Sequence, residues 1–319
     1  PYVIIDRKVF LQVPVTIDFT GTTAANATLL QSGFDAFRAF PLASIIQNMQ
    51  CTINNTSVSI NLSDQIDALQ RYNADVKLFN HEWSGEPVES DQSQNYVDLT
   101  SNTVRNPLAN YWDTINGASE HRGGFSYTSI LAPLANGANT AQVQALLTEP
   151  ILLSPFYFGR GNESGFYGVQ TMDFNISMEG NLSRIWSHAP NATVPGAITV
   201  TVTLGQPRML FAYITPKEVM PIPKDGITYP YYTLQRYFTD ANAAVAANAS
   251  TTLSSANIQL NSVPRRMYVY ARTRNQDRTF LTTDTFFQIN NISLNWENRQ
   301  GLLSSATASD LYNMSVKNG

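Results

Sequence analysis

The residues of this chain whose types could do chemistry are few. It has three histidines and one cysteine in 319 residues. His81-Glu82 opens like the helical zinc motif in which two histidines, four residues apart, share one helix face. Gly85 stands where the second histidine would have to be. His121 begins the loop-like His121-Arg122-Gly123-Gly124, and His188 stands apart from both. Tetrahedral zinc needs its ligands brought together, and this scatter supplies no such set. Cys51 sits in Met49-Gln50-Cys51-Thr52-Ile53, a strand-like setting in which a thiol acts as a small buried hydrophobe. As the sole cysteine it forms no intrachain disulfide. A carboxylate pair for glycoside hydrolysis would draw on Asp18, Glu82 or Asp173, yet no spacing singles any of them out. No G-x-S-x-G elbow, P-loop or dinucleotide glycine motif is present. The expectation is a chain with no catalytic residue, no cofactor-binding residue and no metal ligand, and not an enzyme.

Two clusters suggest binding instead. Trp83, Tyr111 and Trp112, in a long polar stretch, could form a platform for sugars, although such aromatics more often anchor loops and interfaces. Arg265, Arg266, Arg272, Arg274 and Arg278 could touch nucleic acid. A net charge of -4 gives that no support. A solvated strand face paired with Asp277 and Asp284 is the preferred reading.

The composition describes what must position these residues. Hydrophobic residues make up 43% of the chain and charged residues only 14%, against about 25% in ordinary soluble domains. Asn, Gln, Ser and Thr fill the difference. Such neutral polar surface can be buried between subunits at a smaller desolvation cost than charges. Aromatic content of 11% with low net charge argues against disorder. No apolar run reaches the roughly 18 residues of a membrane span. The frequent Asn-x-Ser/Thr triplets, from Asn26 to Asn313, read as chance in so Asn/Ser/Thr-rich a chain.

The dominant period is two. Val9, Leu11, Val13, Val15, Ile17 and Phe19 form one apolar side of a strand that Pro14 should place at a sheet edge or on a bulge. Met172 to Met178, Ile198 to Leu204 and Met267 to Ala271 alternate likewise. Helical patterns are short: Asp64 to Tyr72 after Ser63, Ala141 to Thr148 after Thr140, and Ser309 to Met314. Ala241 to Ala247 reads as a short helix or a loop. The segment from about 81 to 134 reads as loops, and Thr215 to Tyr229 as a connector. The fold class is all-β, built from sandwiches.

A duplication is also legible. Ile45-Ile46-Gln47 aligns with Phe286-Phe287-Gln288, an offset of 241, and Asn54 then falls on Asn295. Each copy continues into a polar turn, a short apolar pair, a serine and a helical pattern. So long a repeat is a domain, not a solenoid unit. Ile45 to Asn54 and Phe286 to Asn295 are expected to be equivalent strands.

Four stretches carry a family resemblance: Leu204 to Pro216 (LGQPRMLFAYITP), Tyr229 to Tyr232, Ile258 to Arg272, and Leu302 to Gly319. Together they resemble the double jelly-roll major capsid proteins of virophages, adintoviruses and polinton-like elements, and adenovirus hexon more remotely. The resemblance implies two tandem jelly-roll β-sandwiches: residues 1–216 with a loop insertion at about 81–134, a linker at 217–229, and a second, partial jelly roll at 230–319. It implies a structural protein of the virion that self-assembles through trimeric pseudo-hexagonal capsomers into an icosahedral shell around a DNA genome. Its partners would be further copies of itself, neighbouring capsomers, minor capsid or penton proteins, and weakly the packaged genome. From residues alone, an extracellular carbohydrate-binding or carbohydrate-cleaving β-sandwich is the alternative.

A jelly roll needs about eight strands, and only about half that number can be counted after Tyr229: Tyr231 to Phe238, Asn257 to Leu260, Met267 to Ala271 and Phe286 to Trp296. The expectation is that the native polypeptide continues past Gly319. Intact mass of the protein from its native particle should therefore exceed 35.3 kDa; that mass with a well-ordered second domain would refute it.

Overall fold

The computed structural model describes residues 4–21, 35–38, 40–72, 96–97, 104–105, 125–131, 140–156, 165–188, 198–215, 228–241, 243–246, 248–282 and 286–317. The chain divides into two units, 1–233 with 278–285, and 234–277 with 286–319.

The first unit is built outward from the alternating apolar stretch. Its strands are β1 (Ile4–Ile5), β2 (Phe10–Thr20), β3 (Asp35–Phe37), β4 (Ile46–Ile53), β5 (Thr56–Ile60), β6 (Tyr96–Val97), β7 (Val104–Arg105), β8 (Phe125–Leu131), β9 (Thr140–Pro150), β10 (Met172–Met178), β11 (Trp186–His188), β12 (Thr199–Leu204), β13 (Arg208–Leu210) and β14 (Tyr213–Ile214). Helix α1 (Pro41–Ile45) leads into β4, and α2 (Leu62–Tyr72) follows β5. One sheet runs β12-β2-β9-β8, with β13 also on β2; a second runs β10-β4-β5. Smaller ladders join β1 to β14, β3 to β11 and β6 to β7. All these pairings are antiparallel.

β2 is not an edge strand. It pairs with β9 from Phe10↔Pro150 to Thr20↔Thr140, and on its other side with β12 and then β13. Pro14 is accommodated because it faces the break between those two short strands. β12 ends at Leu204 opposite Val15, and β13 begins at Arg208 opposite Gln12. Gly205 N–H donates to the Pro14 carbonyl at 2.7 Å across the gap. A Cβ at Gly205 would lie 3.1 Å from the Pro14 Cβ, so glycine permits this approach. The missing proline donor therefore costs the sheet no ladder bond.

The predicted helix from Ala141 to Thr148 is corrected: the segment is β9. Ala141, Val143, Ala145 and Leu147 are buried while the residues between them are half-buried. Burial with period two against β2 overrides the helix preference of Ala, Gln and Leu. The stretch read as loops also contributes β8, which pairs with β9 from Phe125↔Leu147 to Leu131↔Gln142. The rest of 81–134, apart from β6 and β7, lies outside the described residues. So does most of the connector at 217–229.

Leu11, Val13, Val15, Ile17 and Phe19 form the core face of β2. Ile46, Met49, Cys51, Val58 and Ile60 line the β4–β5 hairpin, and Leu62, Ile66 and Leu69 cover it from α2. In β4 the buried set changes phase between Ile46 and Met49, where the ladder to β10 carries a register shift at Ser177/Met178. Helix α2 forms where expected, but Asn61 precedes it, and the Asn61 N–H donates to Gln65 Oε1 at 3.0 Å. Ser63 lies inside the helix, and its hydroxyl donates to Glu179 Oε1 at 2.8 Å.

In the second unit the described regular elements are β15 (Leu294–Trp296), β16 (Arg299–Leu302), a 3-10 turn at Asn275–Asp277 and helix α3 (Ala308–Lys317). The expected strands Tyr231 to Phe238, Asn257 to Leu260 and Met267 to Ala271 are corrected: these segments form no ladder. Phe287 N–H donates to Ala271 O there at 2.8 Å, and the Tyr270 and Phe286 rings lie edge-on at 5.6 Å. Met267 and Val269, the apolar side of the Met267 to Ala271 alternation, are 54% and 56% exposed. Ala241 to Ala247 has no regular structure where described.

The repeated order does recur, with a different register. Both hairpins turn on two residues, Asn54-Asn55 and Glu297-Asn298, and each is followed by a helix. The first turn residue is left-handed in both, Asn54 at φ 51° and Glu297 at φ 50°. Matching the turns places Glu297 on Asn54, an offset of 243 rather than 241. The equivalence of Ile45–Asn54 with Phe286–Asn295 is corrected accordingly, since only Leu294 and Asn295 of the latter stretch are strand. The run of matching polar and apolar types tolerated a two-residue slip because a shift of two keeps every side chain on its own face.

Trp186 joins these parts of the first unit. It is fully buried, edge-on to Phe19 at 5.2 Å and to Phe37 at 5.0 Å. Trp186→Ala is expected to lower the unfolding free energy by about 3–5 kcal/mol, measured as a lower urea midpoint at unchanged slope.

Candidate functional site

Several sequence candidates lie outside the described residues: His81, His121, Glu82, Trp83, Tyr111, Trp112 and Asp284. His188 ends β11. Among the described residues no group of three or more His, Cys, Asp or Glu side chains is placed to hold a metal ion. Asp18 lies on β2 and accepts a hydrogen bond from Gln142 Nε2 at 2.7 Å. Asp173 lies on β10, in the other sheet, paired in register with Thr52. The fold does not place these two carboxylates on one sheet.

Cys51 is 1% exposed, and its thiol is pushed up to about 12, first by burial and then by the Asp173 charge. A thiol with so little thiolate is a poor nucleophile, in keeping with its place in the hairpin core.

The arginine run is dispersed in role. Arg278 is buried, Arg274 donates to Asp277 Oδ2 at 2.6 Å, and the Arg272 guanidinium lies 5.6 Å from the Tyr270 ring centre. The Asp277 partner is the one expected from sequence. The Arg274–Asp277 pair is half-exposed, and contributes little to stability. What these residues form is a set of local contacts within a loop, unlike a continuous basic stripe.

Sequence reading missed the buried charges. Glu149, on the core side of β9, is 4% exposed. Its Oε1 accepts from Leu42 N–H at 2.6 Å and its Oε2 from Ala43 N–H at 2.8 Å. The carboxylate thus satisfies the first donors of α1, whose preceding residue, Phe40, is left-handed at φ 51° and makes no side-chain cap. The sequence signal was a lone acid at the end of an alternating apolar run. At the same end of the unit Arg7 donates to Pro155 O at 3.3 Å, and its guanidinium lies 5.1 Å from the Phe166 ring centre and 5.4 Å from that of Tyr229. These groups hold elements together through backbone acceptors and donors.

Comparison with known proteins identifies the family. Residues 2–213 match the family model "Sputnik virophage major capsid protein 1st domain", and residues 234–319 match "Major capsid protein V20 C-terminal domain". The chain belongs to the Sputnik virophage major capsid protein family. It is 36% identical over 329 aligned positions to the "Putative capsid protein V20" of Sputnik virophage, covering 99% of this chain and 54% of that protein. The chain therefore spans about half the length of that curated relative. The cryo-EM structure of Sputnik virophage contains a chain that matches with a TM-score of 0.82 and 35% identity, over 99% of this chain and 64% of the other. The crystal structure of the mavirus major capsid protein matches with a TM-score of 0.52 and 17% identity, over 69% and 43% of the two chains; at that identity it shows the fold alone. The fold is the double jelly roll of these virophage capsid proteins, and the place of this structural protein is the virion capsid. The carbohydrate-binding or carbohydrate-cleaving reading finds no support in these matches.

Burial raises the Glu149 carboxyl to about 7, against the lowering effect of the Leu42 and Ala43 N–H groups. A folded-state value above the unfolded one means that the native state binds the proton more tightly. The stabilisation is complete below the ordinary value of 4.5 and is lost as pH rises through about 7. Glu149→Gln should flatten this decline in a series of urea midpoints taken across that window, and should lower stability at acid pH.

Proposed function

We propose that the chain is a major capsid protein that self-assembles through homotrimeric, pseudo-hexagonal capsomers into an icosahedral shell enclosing a DNA genome, and that it is not an enzyme. The observation that carries this reading is the match along 99% of the chain to a chain of the solved virophage particle. We further propose the division into a first jelly roll at 1–216, a linker at 217–229 and a second, partial jelly roll at 230–319. The exposure of Met267, Val269 and Phe287 supports the last of these, because a complete jelly roll buries its alternating apolar residues between two sheets. Minor capsid or penton proteins would meet the shell at its vertices. Any genome contact would be weak, since the net charge is -4 and Arg274 is paired.

The composition fits lateral packing of many copies. Along β10 the half-exposed Met172, Phe174, Ile176 and Met178 alternate with the exposed Asp173, Asn175 and Ser177, and along β12 exposed Thr199, Thr201 and Thr203 alternate with valines and Leu204. Hydroxyl and amide side chains hydrogen-bond across an interface without the desolvation cost of ions.

Analytical ultracentrifugation at micromolar concentration, joined to electron microscopy of the sample, tests the reading. A trimer and hexagonal capsomer outlines are expected. A 35.3 kDa monomer under assembly conditions would refute it, and a monomer whose sedimentation shifts on adding oligosaccharide would restore the carbohydrate alternative.

A further inference from the structure

Arg38 follows β3 and is fully buried. Its backbone N–H donates to Ile185 O at 3.0 Å, and its Nε donates to Trp186 O at 3.1 Å. Its Nη2 is directed at three carbonyls of one short segment: Thr279 at 3.3 Å, Phe280 at 3.4 Å and Thr282 at 2.5 Å. These acceptors lie 241 to 244 residues further along the chain.

The segment is a closed turn in its own right. Thr282 N–H donates to Thr279 O at 3.2 Å, and the Thr282 hydroxyl both donates to Thr279 O and accepts from Thr279 N–H, each at 2.9 Å. Leu281 N–H donates to Thr279 Oγ1 at 3.2 Å. A second anchor holds its start, where Asn181 Nδ2 donates to Arg278 O at 3.0 Å. Asn181 is itself fixed, because its Oδ1 accepts from Ser183 N–H at the head of the 3-10 turn Leu182–Ile185. The Arg278 side chain is buried, whereas Arg274, four residues earlier, is half-exposed.

Carbonyl oxygens carry partial negative charge, so a turn that aims three of them at one point favours a cation there. A guanidinium meets this demand with several donors in a fixed plane and keeps its charge at any ordinary pH; an ammonium is a compact point charge that cannot also reach a carbonyl on another side. In sequence the segment falls between the two stretches of the second unit, 234–277 and 286–319, yet it folds with the first unit.

We propose that Arg278–Thr282 is a strap, contributed by the late part of the chain, that Arg38 locks into the first unit. Arg38 is a positioning residue. Its acceptors at Thr279, Phe280 and Thr282 exist only once the chain has been made past residue 282, so the first unit completes its packing around Trp186 late in synthesis.

Limited trypsin digestion of the full chain, read by mass spectrometry, tests this with an internal control. In Arg38→Lys, cleavage after Arg278 should become about tenfold faster or more, because protease access tracks the population of the opened segment. Cleavage after Arg274 should be unchanged. Equal protection after Arg278 in the two proteins, with native near-ultraviolet dichroism retained, overturns the proposal. Should Arg38→Lys fail to fold, hydrogen exchange on the unaltered protein decides. Amides of residues 279–282 are expected to exchange as slowly as those of β11; exchange as fast as in residues 270–276 overturns the strap.

Discussion

Eleven consecutive residue pairs tie β2 to β9, while β12 and β13 share its opposite side. A strand hydrogen-bonded along both sides has its side-chain directions fixed, since a slip of one residue would turn Leu11, Val13, Val15, Ile17 and Phe19 out of the core. The remainder of the first unit follows from that constraint. β9 brings Glu149 under α1, α1 leads into β4, and the β4–β5 hairpin carries α2. Phe19 brings Trp186 into the core, and Trp186 in turn sets the carbonyl to which Arg38 donates. Each fully buried apolar side chain on β2 contributes roughly 1.5–3 kcal/mol, so register and core are specified by the same residues.

The polar groups that hold this arrangement serve backbone atoms. Glu149 accepts from two helix N–H groups, Arg38 donates to carbonyls, and Arg7 donates to one. A buried ion is costly unless its hydrogen bonds are complete, and backbone groups at helix ends and turns offer partners that cannot rotate away. The buried charges of Glu149, Arg38 and Arg7 are thus committed to the chain's own backbone.

What could be read in the sequence was what depends on local periodicity. The alternation of β2, β10 and β12 was visible because burial with period two is written into consecutive residues, and α2 was visible through Ile66 and Leu69. β9 was misread because Ala, Gln and Leu are good helix formers, and only its pairing with β2 decides otherwise. Pro14 suggested an edge because a break in the neighbouring strand, two hundred residues away, has no local signature. The roles of Glu149 and Arg38 were not legible, because their partners, at Leu42 and at Thr279 to Thr282, are remote in sequence. The family resemblance was carried by Leu204 to Pro216 and by the stretches after Tyr229, where composition alone would have left a sandwich of open function.

The two hairpin-and-helix segments separate what local sequence does from what packing adds. Both turn at a left-handed first residue and both end in a helix. In α2 the helix is held by burial, with Leu62 and Leu69 almost inaccessible. In α3 no residue is buried, and the helix instead has a reciprocal cap. Thr307 N–H donates to Asp310 Oδ2 at 2.9 Å, and Asp310 N–H donates back to Thr307 Oγ1 at 3.3 Å. These bonds to Thr307 hold the Asp310 carboxyl below its ordinary range, so the cap is anionic at the positive end of the helix. Left-handed Glu297 has none of the ease that Asn54 has in that conformation, yet the turn forms. The local code therefore specifies the same element twice, once inside a finished core and once with Tyr312, Met314 and Val316 exposed. A helix so strongly capped needs no burial to form, which is why it stands with its apolar side chains exposed.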